Sequence, residues 1–541
     1  MTLVPTNAEK PSSQVDVEVF HHILVWPLLL QGDFSEARFG GSKGFEQVVG
    51  EFVQAGWKER TGESVDASVT YEEIVYFHPF VRDFLFGDGK TERKERAVRR
   101  FDRNDVSGVA ISFPLDGRTF HRIFTVERSE LLLIRPRIAM LVIEISNRVS
   151  AYVDDHEQWA RLTLKEVMFL QSWFRRAYPP YFRNELHHHG ECLQSVKWLG
   201  LTAPVGMDSA SRREEFDAFS RAGGEPPMYA HWRAWFGDRI SPYRSAKDRD
   251  GKGLTLQQLV DDRIPGLSFI AVRNPAEVSR ADLDRLPAFD PPSLEYDETF
   301  RSAARQRFEY LRFQHWGTRY YCNGTSFTML TSASEISIKV LRQHLRRHYT
   351  HLAVLSHYQH AALLYFADEW ADIAKNLAGK DEERREKAWR ERIRVAQHRF
   401  LKFRTRSFFT EVSNQIQGKE LFRLWYERLG TEALLQQVSG VSTDVYQTLE
   451  DFEAKELAMS QAFLAHVATW GLGASLGLSV AAAVLSWAAV PDTARFRMFG
   501  VLFDDRSSVG WLAFFLFVGV SFVAIEAAYL IRAWKRRQGK A

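Results

Sequence analysis

The stretch QAFLAHVATWGLGASLGLSVAAAVLSWAAV, residues 461–490, decides the architecture, because no residue in it carries a formal charge. Only His466 can titrate there, and a second run, residues 509–531, has Glu526 as its only charged residue. The apolar core of a bilayer is about 30 Å thick, and a helix of about 20 residues crosses it. Both runs are therefore predicted to be transmembrane helices; the alternative is a pair of buried core helices.

The flanks of the two runs predict the topology. The C-terminal tail, residues 532–541, reads RAWKRRQGKA and holds basic residues but no acid. The connecting loop, residues 491–508, balances three arginines against Asp492, Asp504 and Asp505. Basic residues are retained on the cytoplasmic side, so the tail is predicted to lie inside and the loop outside. Everything before the first run is then cytoplasmic, and we expect a multi-pass protein of the inner or plasma membrane.

The amino-acid composition indicates which binding partners and which cellular compartment to expect. The 541 residues include 71 Lys and Arg against 68 Asp and Glu, a net charge of +3. This balance gives no bulk attraction for nucleic acid, so no direct nucleic-acid partner is expected. The two cysteines, Cys192 and Cys322, are too few for a disulfide framework, which fits a reducing compartment. The first 20 residues lack a basic n-region, so no signal peptide is expected.

Residues 1–330 are predicted to form a cytoplasmic α/β domain. The run RSELLLIRPRIAMLVIEIS (128–146) predicts a hairpin that turns at Arg135-Pro136-Arg137, and residues 163–178 predict a helix. Clusters of Gly, Pro, Asp and Arg predict an irregular insertion near 205–260. Short runs rich in Val, Ile, Phe and Tyr predict strands at 69–78, 107–114, 119–127, 138–146, 267–272 and around 319–330.

Residues 331–460 are predicted to be a long helical and stalk region. Apolar residues recur at spacings of three and four, and the charged run 380–406 pairs opposite charges at i,i+4, as a solvated helix does. The last helix is predicted to be a stalk, dented at Gly430 and Gly440, that continues into the first span. The predicted fold class is an α+β cytoplasmic domain with long antiparallel helices and a stalk helix leading into two C-terminal transmembrane helices.

This order resembles the CorA-type family of two-span divalent-cation transporters. The resemblance is carried by YERLGTEALLQQVSGVSTDVYQTLEDFEAKE (426–456), LAHVATWGLGASLGLSVAAAVLSW (464–487) and GWLAFFLFVGVSFVAIEAAYLIRAWKRR (510–537). It covers residues 331–541 by architecture, with a weaker echo in the strand pairs before residue 150. It implies a homo-oligomer, a pentamer in that family, with the first spans around a central pore and the stalks forming a funnel.

One departure from the family concerns the outer end of the first span. Family members carry Gly-Met-Asn there, and this chain instead reads SWAAVPDTARFRMFG (486–500), with no Gly-Met-Asn anywhere. Arginines near a cation entrance raise an electrostatic barrier, whereas rings of Asp or Glu favour cations. The loop is therefore not the family's magnesium filter. No cofactor is expected; the alternative that the resemblance implies is a divalent cation, and the metal-binding residues are unknown.

Two faces of the first span are predicted to differ in role. Gly473 and Gly477 form a GxxxG pattern that lets helices approach closely, so they are assigned to helix packing. Ser475, Ser479 and Ser486 fall on roughly the opposite face and are assigned to a pore lining. The alternative is that each serine hydrogen-bonds within its own helix. By the same reasoning, Glu526 and His466 are each either functional or merely near an interface.

Other candidate chemistry in the sequence is weak. ELHHHGEC (185–192) offers histidine, carboxylate and thiol ligands, but neighbours in a chain seldom face one centre, and solvated histidines are the competing interpretation. VFHHILVWP near residue 20 is interpreted as a strand that packs its apolar residues. There is no P-loop, GxGxxG after a strand, GxSxG, HExxH or CxxC pair, so we do not expect an enzyme.

Two function classes follow from the sequence. The first is an oligomeric channel or transporter for cations, gated by its cytoplasmic domain. The second is a membrane-anchored defence effector whose cytoplasmic domain binds a ligand, such as a nucleotide messenger, and opens or disrupts the membrane. The large soluble domain and the missing Gly-Met-Asn favour the second over a housekeeping transporter.

Overall fold

The structure is a computed structural model. It describes residues 15–31, 42–60, 71–92, 95–135, 137–147, 162–178, 192–202, 210–212, 228–236, 240–241, 255–259, 262–377, 383–488 and 519. The chain divides into two compact units, Met1–Thr443 and Asp444–Ala541. The first holds a mixed sheet with helices on both of its faces, and the described part of the second is almost entirely one helix. The mixed α/β class with long helices, predicted from the sequence, is confirmed.

The described strands form one sheet. They are β1 (Asp16–Gln31), β2 (Lys58–Glu59), β3 (Val98–Asp102), β4 (Gly108–Leu115), β5 (Arg118–Ile134), β6 (Ile138–Ser146), β7 (Leu162–Thr163), β8 (Ser195–Leu199), β9 (Ala210–Arg212), β10 (Ile240–Ser241), β11 (Thr255–Gln258), β12 (Gly266–Val272), β13 (Glu309–Tyr310), β14 (Arg319–Cys322) and β15 (Ser326–Ser332). The main path runs β13-β14-β15-β12-β1-β6-β5-β4-β8-β9. Neighbours on this path are antiparallel except β12 and β15, which are parallel.

The central strand is β1, and the sequence explains its place. It pairs along one edge with β6 and along the other with β12 and β11. Residues 20–30 of β1 are all buried, as are all nine residues of β6. A strand covered on both faces tolerates a nearly continuous apolar run, and HHILVWPLLL is such a run.

Most of the predicted strands are confirmed. β4 and β6 match the predictions at 107–114 and 138–146, and β12 matches 267–272. The predicted hairpin is the β5–β6 pair, in which Leu131 lies opposite Leu141. The predicted strand 119–127 and the first arm of that hairpin are one long strand, β5, whose pairing to β6 shifts register between Val126 and Arg128.

The helices follow in chain order. They are α1 (Ser42–Gln54), α2 (Tyr71–Tyr76), α3 (Pro79–Phe86), α4 (Leu164–Trp173), α5 (Ala230–Arg233), α6 (Arg280–Arg285), α7 (Glu298–Phe308), then α8 (Thr350–Leu377), α9 (Glu383–Arg406), α10 (Ile416–Arg428) and α11 (Thr431–Ala488). Short 3₁₀ turns lie at Pro275–Glu277, Leu286–Ala288 and Leu311–Trp316, and two π-helical turns at Ser337–Leu341 and Leu345–Tyr349 flank Arg342–His344.

Two local predictions need correction. Residues 69–78 were predicted to be a strand, but Tyr71–Tyr76 is helical. Tertiary contacts decide this: Ser413 Oγ hydrogen-bonds the carbonyl of Tyr76, whose ring stacks on His348 at 4.1 Å between centroids. The helix predicted at 163–178 ends at Trp173, because Ala177 donates its N–H to the carbonyl of Asp262 at 2.8 Å instead of continuing the helix.

One face of the sheet, called here the tryptophan face, carries Phe20, Leu24 and Trp26 of β1. The Trp26 ring packs edge-on against Trp232 of α5, at 5.5 Å between centroids. Trp232 also contacts Trp198 of β8 at 5.7 Å. The described part of the predicted irregular insertion, 205–260, thus contributes to the core.

The opposite face, called here the helical face, carries His21, Ile23 and Val25 of β1 and is covered by α8. Helix α9 packs on α8. Near the end of α8 and the start of α9, Trp389 Nε1 donates to the carbonyl of Ile373 at 3.2 Å; at their other ends, Tyr358 meets Phe403 at 6.2 Å between ring centroids. Because the end of each helix contacts the start of the other, α8 and α9 are antiparallel.

Candidate functional site

Helix α11 holds the membrane candidate. It runs without a break through Gly440, whereas Gly430 ends the preceding turn with φ of +67°, so only one of the two predicted dents is present. Its residues 431–479 are long and apolar enough to cross a membrane, and none of the apolar window is buried. Large apolar side chains including Leu457, Leu464 and Leu472 are exposed. A helix that is apolar all round and uncovered needs a non-aqueous environment or a partner.

The predicted pore and packing residues lie on this helix. Ser479 Oγ donates to the carbonyl of Ser475 at 2.7 Å, and Ser475 Oγ donates to that of Leu472 at 2.9 Å. Both hydroxyls therefore bond within their own helix, the alternative left open by the sequence. Gly473 and Ser486 are helical in backbone. At Gly477 an added Cβ would have no described atom within 4 Å.

Several predicted sites lie outside the described residues. These are the loop aspartates Asp492, Asp504 and Asp505, the second apolar run except Gly519, the basic tail, and residues 185–191 of the histidine cluster. Cys192, at the end of that cluster, is buried. Within the described part of the chain, no group of three or more His, Cys, Asp or Glu side chains could hold a metal ion.

A second candidate site lies on the helical face, beneath the two π-helical turns. Residues 337–349, called here the π segment, read SIKVLRQHLRRHY and carry Lys339, Arg342, Arg346 and Arg347. π-Helical turns are rare and are found frequently at functional sites. Two π-helical turns within thirteen residues therefore make the π segment a candidate functional site.

A buried carboxylate, Glu144 of β6, lies under the π segment and is 1% exposed. It accepts a hydrogen bond from Arg346 Nε, and its Oε1 lies 3.0 Å from His21 Nδ1 on β1. Arg128 on β5 places Nη2 at 3.6 Å from Glu144 Oε2 and at 2.9 Å from the carbonyl oxygen of Arg346. One carboxylate thus ties three strands to the π segment.

The network extends through a second carboxylate. Glu127 Oε2 lies 3.3 Å from Arg346 Nη2, and Glu127 Oε1 accepts from Ser146 Oγ at 2.7 Å. We call these residues the Glu144 network: His21, Glu127, Arg128, Glu144, Ser146 and Arg346. Glu127 and Arg346 are each partly exposed, so the network reaches from solvent into the core.

Burial and charge set the protonation states of the network. Burial alone would raise the pKa of Glu144, but the hydrogen bond from His21 and the charges of Arg128 and Arg346 lower it to about 2. Burial lowers the pKa of His21, opposed by Glu144 and reinforced by Arg346. The pair is therefore a neutral imidazole that donates from Nδ1–H to a carboxylate.

Further charged groups flank the network. Glu130 of β5 lies 2.5 Å from Arg100 Nε and 3.4 Å from Arg60 Nη1. Burial would raise its pKa, but Arg100 and Arg60 outweigh burial and lower it well below the usual range. On α8, burial lowers the pKa of His351 to about 4; its Nδ1 lies 3.9 Å from Glu73.

This arrangement couples the π segment to the sheet. Glu144 is ion-paired with Arg128 and Arg346, and Glu127 is ion-paired with Arg346. A buried ion pair adds little net stability when complete, but losing one partner leaves a buried charge uncompensated. The network therefore fixes the position of the π segment on the sheet. Sequence reasoning missed it; the available signals were the adjacent histidines of β1 and the basic run LRRHY (345–349).

Comparisons with known proteins identified no relative of this chain. No protein-family model matches the chain, and neither the curated proteins nor the solved structures give a significant match.

Proposed function

We propose that the protein is a homo-oligomeric cation channel or transporter, anchored by two C-terminal spans and gated by its cytoplasmic α/β unit. The observation that carries the proposal is α11, which is long and apolar enough to cross a membrane and has no buried residue in its apolar window. Its continuity from Thr431 to Ala488 supports a stalk that passes movement of a soluble unit to a membrane helix. The CorA-like order of elements supports an oligomer around a pore.

The expected topology places the loop 491–508 outside and both termini in the cytoplasm. Cysteine labelling tests it: a membrane-impermeant maleimide should modify intact cells carrying Ser507→Cys but not those carrying Gln538→Cys. The native thiols give little background, because both are buried and burial raises the pKa of each, that of Cys322 to about 12. Labelling only of the Gln538→Cys variant would show that the topology is the opposite of the one expected.

A second candidate function is a membrane-anchored defence effector that binds a ligand, such as a nucleotide messenger, and then opens or disrupts the membrane. Two observations favour it. The loop lacks the Gly-Met-Asn filter, and the Glu144 network holds the π segment through ion pairs that a charged ligand can compete for.

Flux measurements separate the two functions. In liposomes that contain the purified full chain, a channel or transporter conducts Mg²⁺ or K⁺ without added nucleotide. An effector conducts only when a nucleotide is added, and its expression arrests growth only in cells that make that nucleotide. Absence of flux under every condition would contradict both.

A further inference from the structure

Four tyrosines from separate elements meet beside the π segment. They are Tyr76 of α2, Tyr310 of β13, Tyr320 of β14 and Tyr349 of the π segment, called here the phenol cluster. The ring centroids of Tyr310 and Tyr320 are 6.0 Å apart, and those of Tyr320 and Tyr349 are 6.1 Å apart. Three of the four side chains are buried, and Tyr310 lies at the partly exposed rim.

The buried hydroxyls of the phenol cluster have too few acceptors. Tyr76 Oη is buried and has no hydrogen-bond partner among the described residues. The hydroxyls of Tyr320 and Tyr349 interact with each other, but two phenols share one hydrogen bond, which leaves one O–H over. Burial raises the pKa of Tyr349, and the phenols of Tyr320 and Tyr76 raise it further, so it stays a protonated donor. Buried donors without an acceptor are rare in proteins, and here they indicate a bound partner.

Helix α10 supplies an acceptor at the rim of the cluster. Glu420 accepts hydrogen bonds from Tyr310 Oη and from Arg312 Nε, the second at 2.8 Å. Glu420 and Arg312 are each 39% exposed, and such surface pairs are weak. The first turn of α10 also covers the buried end of the cluster, because a Cβ added at Gly418 would lie 2.8 Å from Tyr76 Oη. Glu420 therefore serves the hydroxyl at the rim and none of the buried ones.

We propose that the phenol cluster binds an oxyanion, a phosphate or carboxylate group of a small ligand, which displaces Glu420. The ligand takes over the hydrogen bonds from Tyr310 and Arg312. It also gains the spare donors of the buried hydroxyls, which Glu420 does not reach. Hydrogen bonds to an ionised acceptor are stronger than neutral ones. One anion replaces another, so the charge of Arg312 stays balanced.

The position of the site gives a bound oxyanion a route to the membrane helix. Glu420 belongs to α10, and only Leu429 and Gly430 separate α10 from α11 in the chain. Displacing Glu420 frees α10 from the rim of the cluster. The binding of an oxyanion stands by itself, whereas its use in gating rests on the proposed function.

Urea unfolding of the full chain in nanodiscs tests the binding. The probes are sodium phosphate and sodium acetate, each compared with sodium chloride at equal ionic strength. A ligand that binds only the folded state stabilises it, so at least one probe should raise the urea midpoint. Glu420→Gln should bind that probe at least about tenfold more tightly, because it removes the charged competitor.

Two tyrosine variants locate the binding. Tyr349→Phe should abolish the gain in the urea midpoint, and it should fold normally, because an incompletely bonded hydroxyl contributes little to stability. Tyr358→Phe is the matched control and should keep the gain. Tyr358 is a buried tyrosine of α8 whose hydroxyl donates to the carbonyl of Arg135 at 3.2 Å.

An equal gain in wild type and both tyrosine variants would reveal a general salt effect and overturn the inference. Absence of a gain in both wild type and Glu420→Gln would overturn it as well. Ion flux in liposomes is measured separately on the same variants. Binding without any effect on flux would leave the site standing and contradict its role in gating, whereas absence of flux under every condition would contradict the proposed function alone.

Discussion

Acid should destabilise the sheet unit steeply between pH 6.5 and pH 5, because several buried histidines are held neutral. Burial lowers the pKa of His22, His231 and His357 to about 3 each and that of His351 to about 4. An unfolded chain titrates these groups near 6.5. Below that pH the unfolded state binds protons that the folded state does not, so their contribution to stability is present above pH 6.5 and is lost as the pH falls toward the folded pKa values.

The size of the loss in unfolding free energy follows from the number of buried neutral histidines. Each group costs about 1.4 kcal/mol per pH unit once only the unfolded state is protonated. Four such histidines together therefore cost about 5 kcal/mol between pH 6 and pH 5. Domains are typically stable by about 5–15 kcal/mol, so the sheet unit should approach its unfolding midpoint near pH 5. His21 adds a contribution of the same sign.

Urea unfolding of the full chain in nanodiscs measures this effect. Tryptophan fluorescence reports the sheet unit, because Trp26, Trp198 and Trp232 are buried there. The urea midpoint should fall steeply from pH 7.5 to pH 5 with little change in the slope m. The control variant is His22→Asn, which can keep a hydrogen bond to Ser268 but cannot titrate; it should reduce the pH dependence by about 1.4 kcal/mol per pH unit. A urea midpoint that is constant from pH 7.5 to pH 5 would refute the reasoning.

Three further variants test the network and the membrane helix. Glu144→Gln should lower the unfolding free energy by about 3 kcal/mol, because Arg128 and Arg346 lose their buried, charged partner. The exposed control Glu335→Gln should change it by less than about 0.5 kcal/mol, and a urea midpoint equal to wild type for Glu144→Gln would contradict the buried network. Gly473→Leu with Gly477→Leu should weaken self-association in native mass spectrometry, since the added bulk separates helices; an unchanged oligomer would remove the glycines from the interface. Ser479→Leu should reduce ion flux in liposomes without changing oligomer size, by narrowing and dewetting a pore; unchanged flux would mean that the hydroxyl serves only its own helix.

Hydrophobic and charge patterns along the sequence were enough to predict several of the helices and strands. The uncharged run 461–490 predicts a long apolar helix, and α11 extends to Ala488. Short runs rich in Val, Ile, Phe and Tyr predict β4 and β6, because β-branched and aromatic side chains pack well on the pleated surface of a sheet. The period of the sequence after residue 331 predicts α8 and α9 for the same reason.

Only the tertiary structure decided where the charges meet. His21 and Glu144 are 123 residues apart in the chain, and Arg346 is 202 residues from Glu144. Each looks like an ordinary polar residue in its own segment, and only strand pairing and the packing of the π segment bring them together. The same holds for Tyr71–Tyr76, where contacts from distant residues override a strand-like pattern. Sequence periodicity reports the burial of neighbours along one element, whereas the partner of a buried charge is set by chain topology, which no local pattern contains.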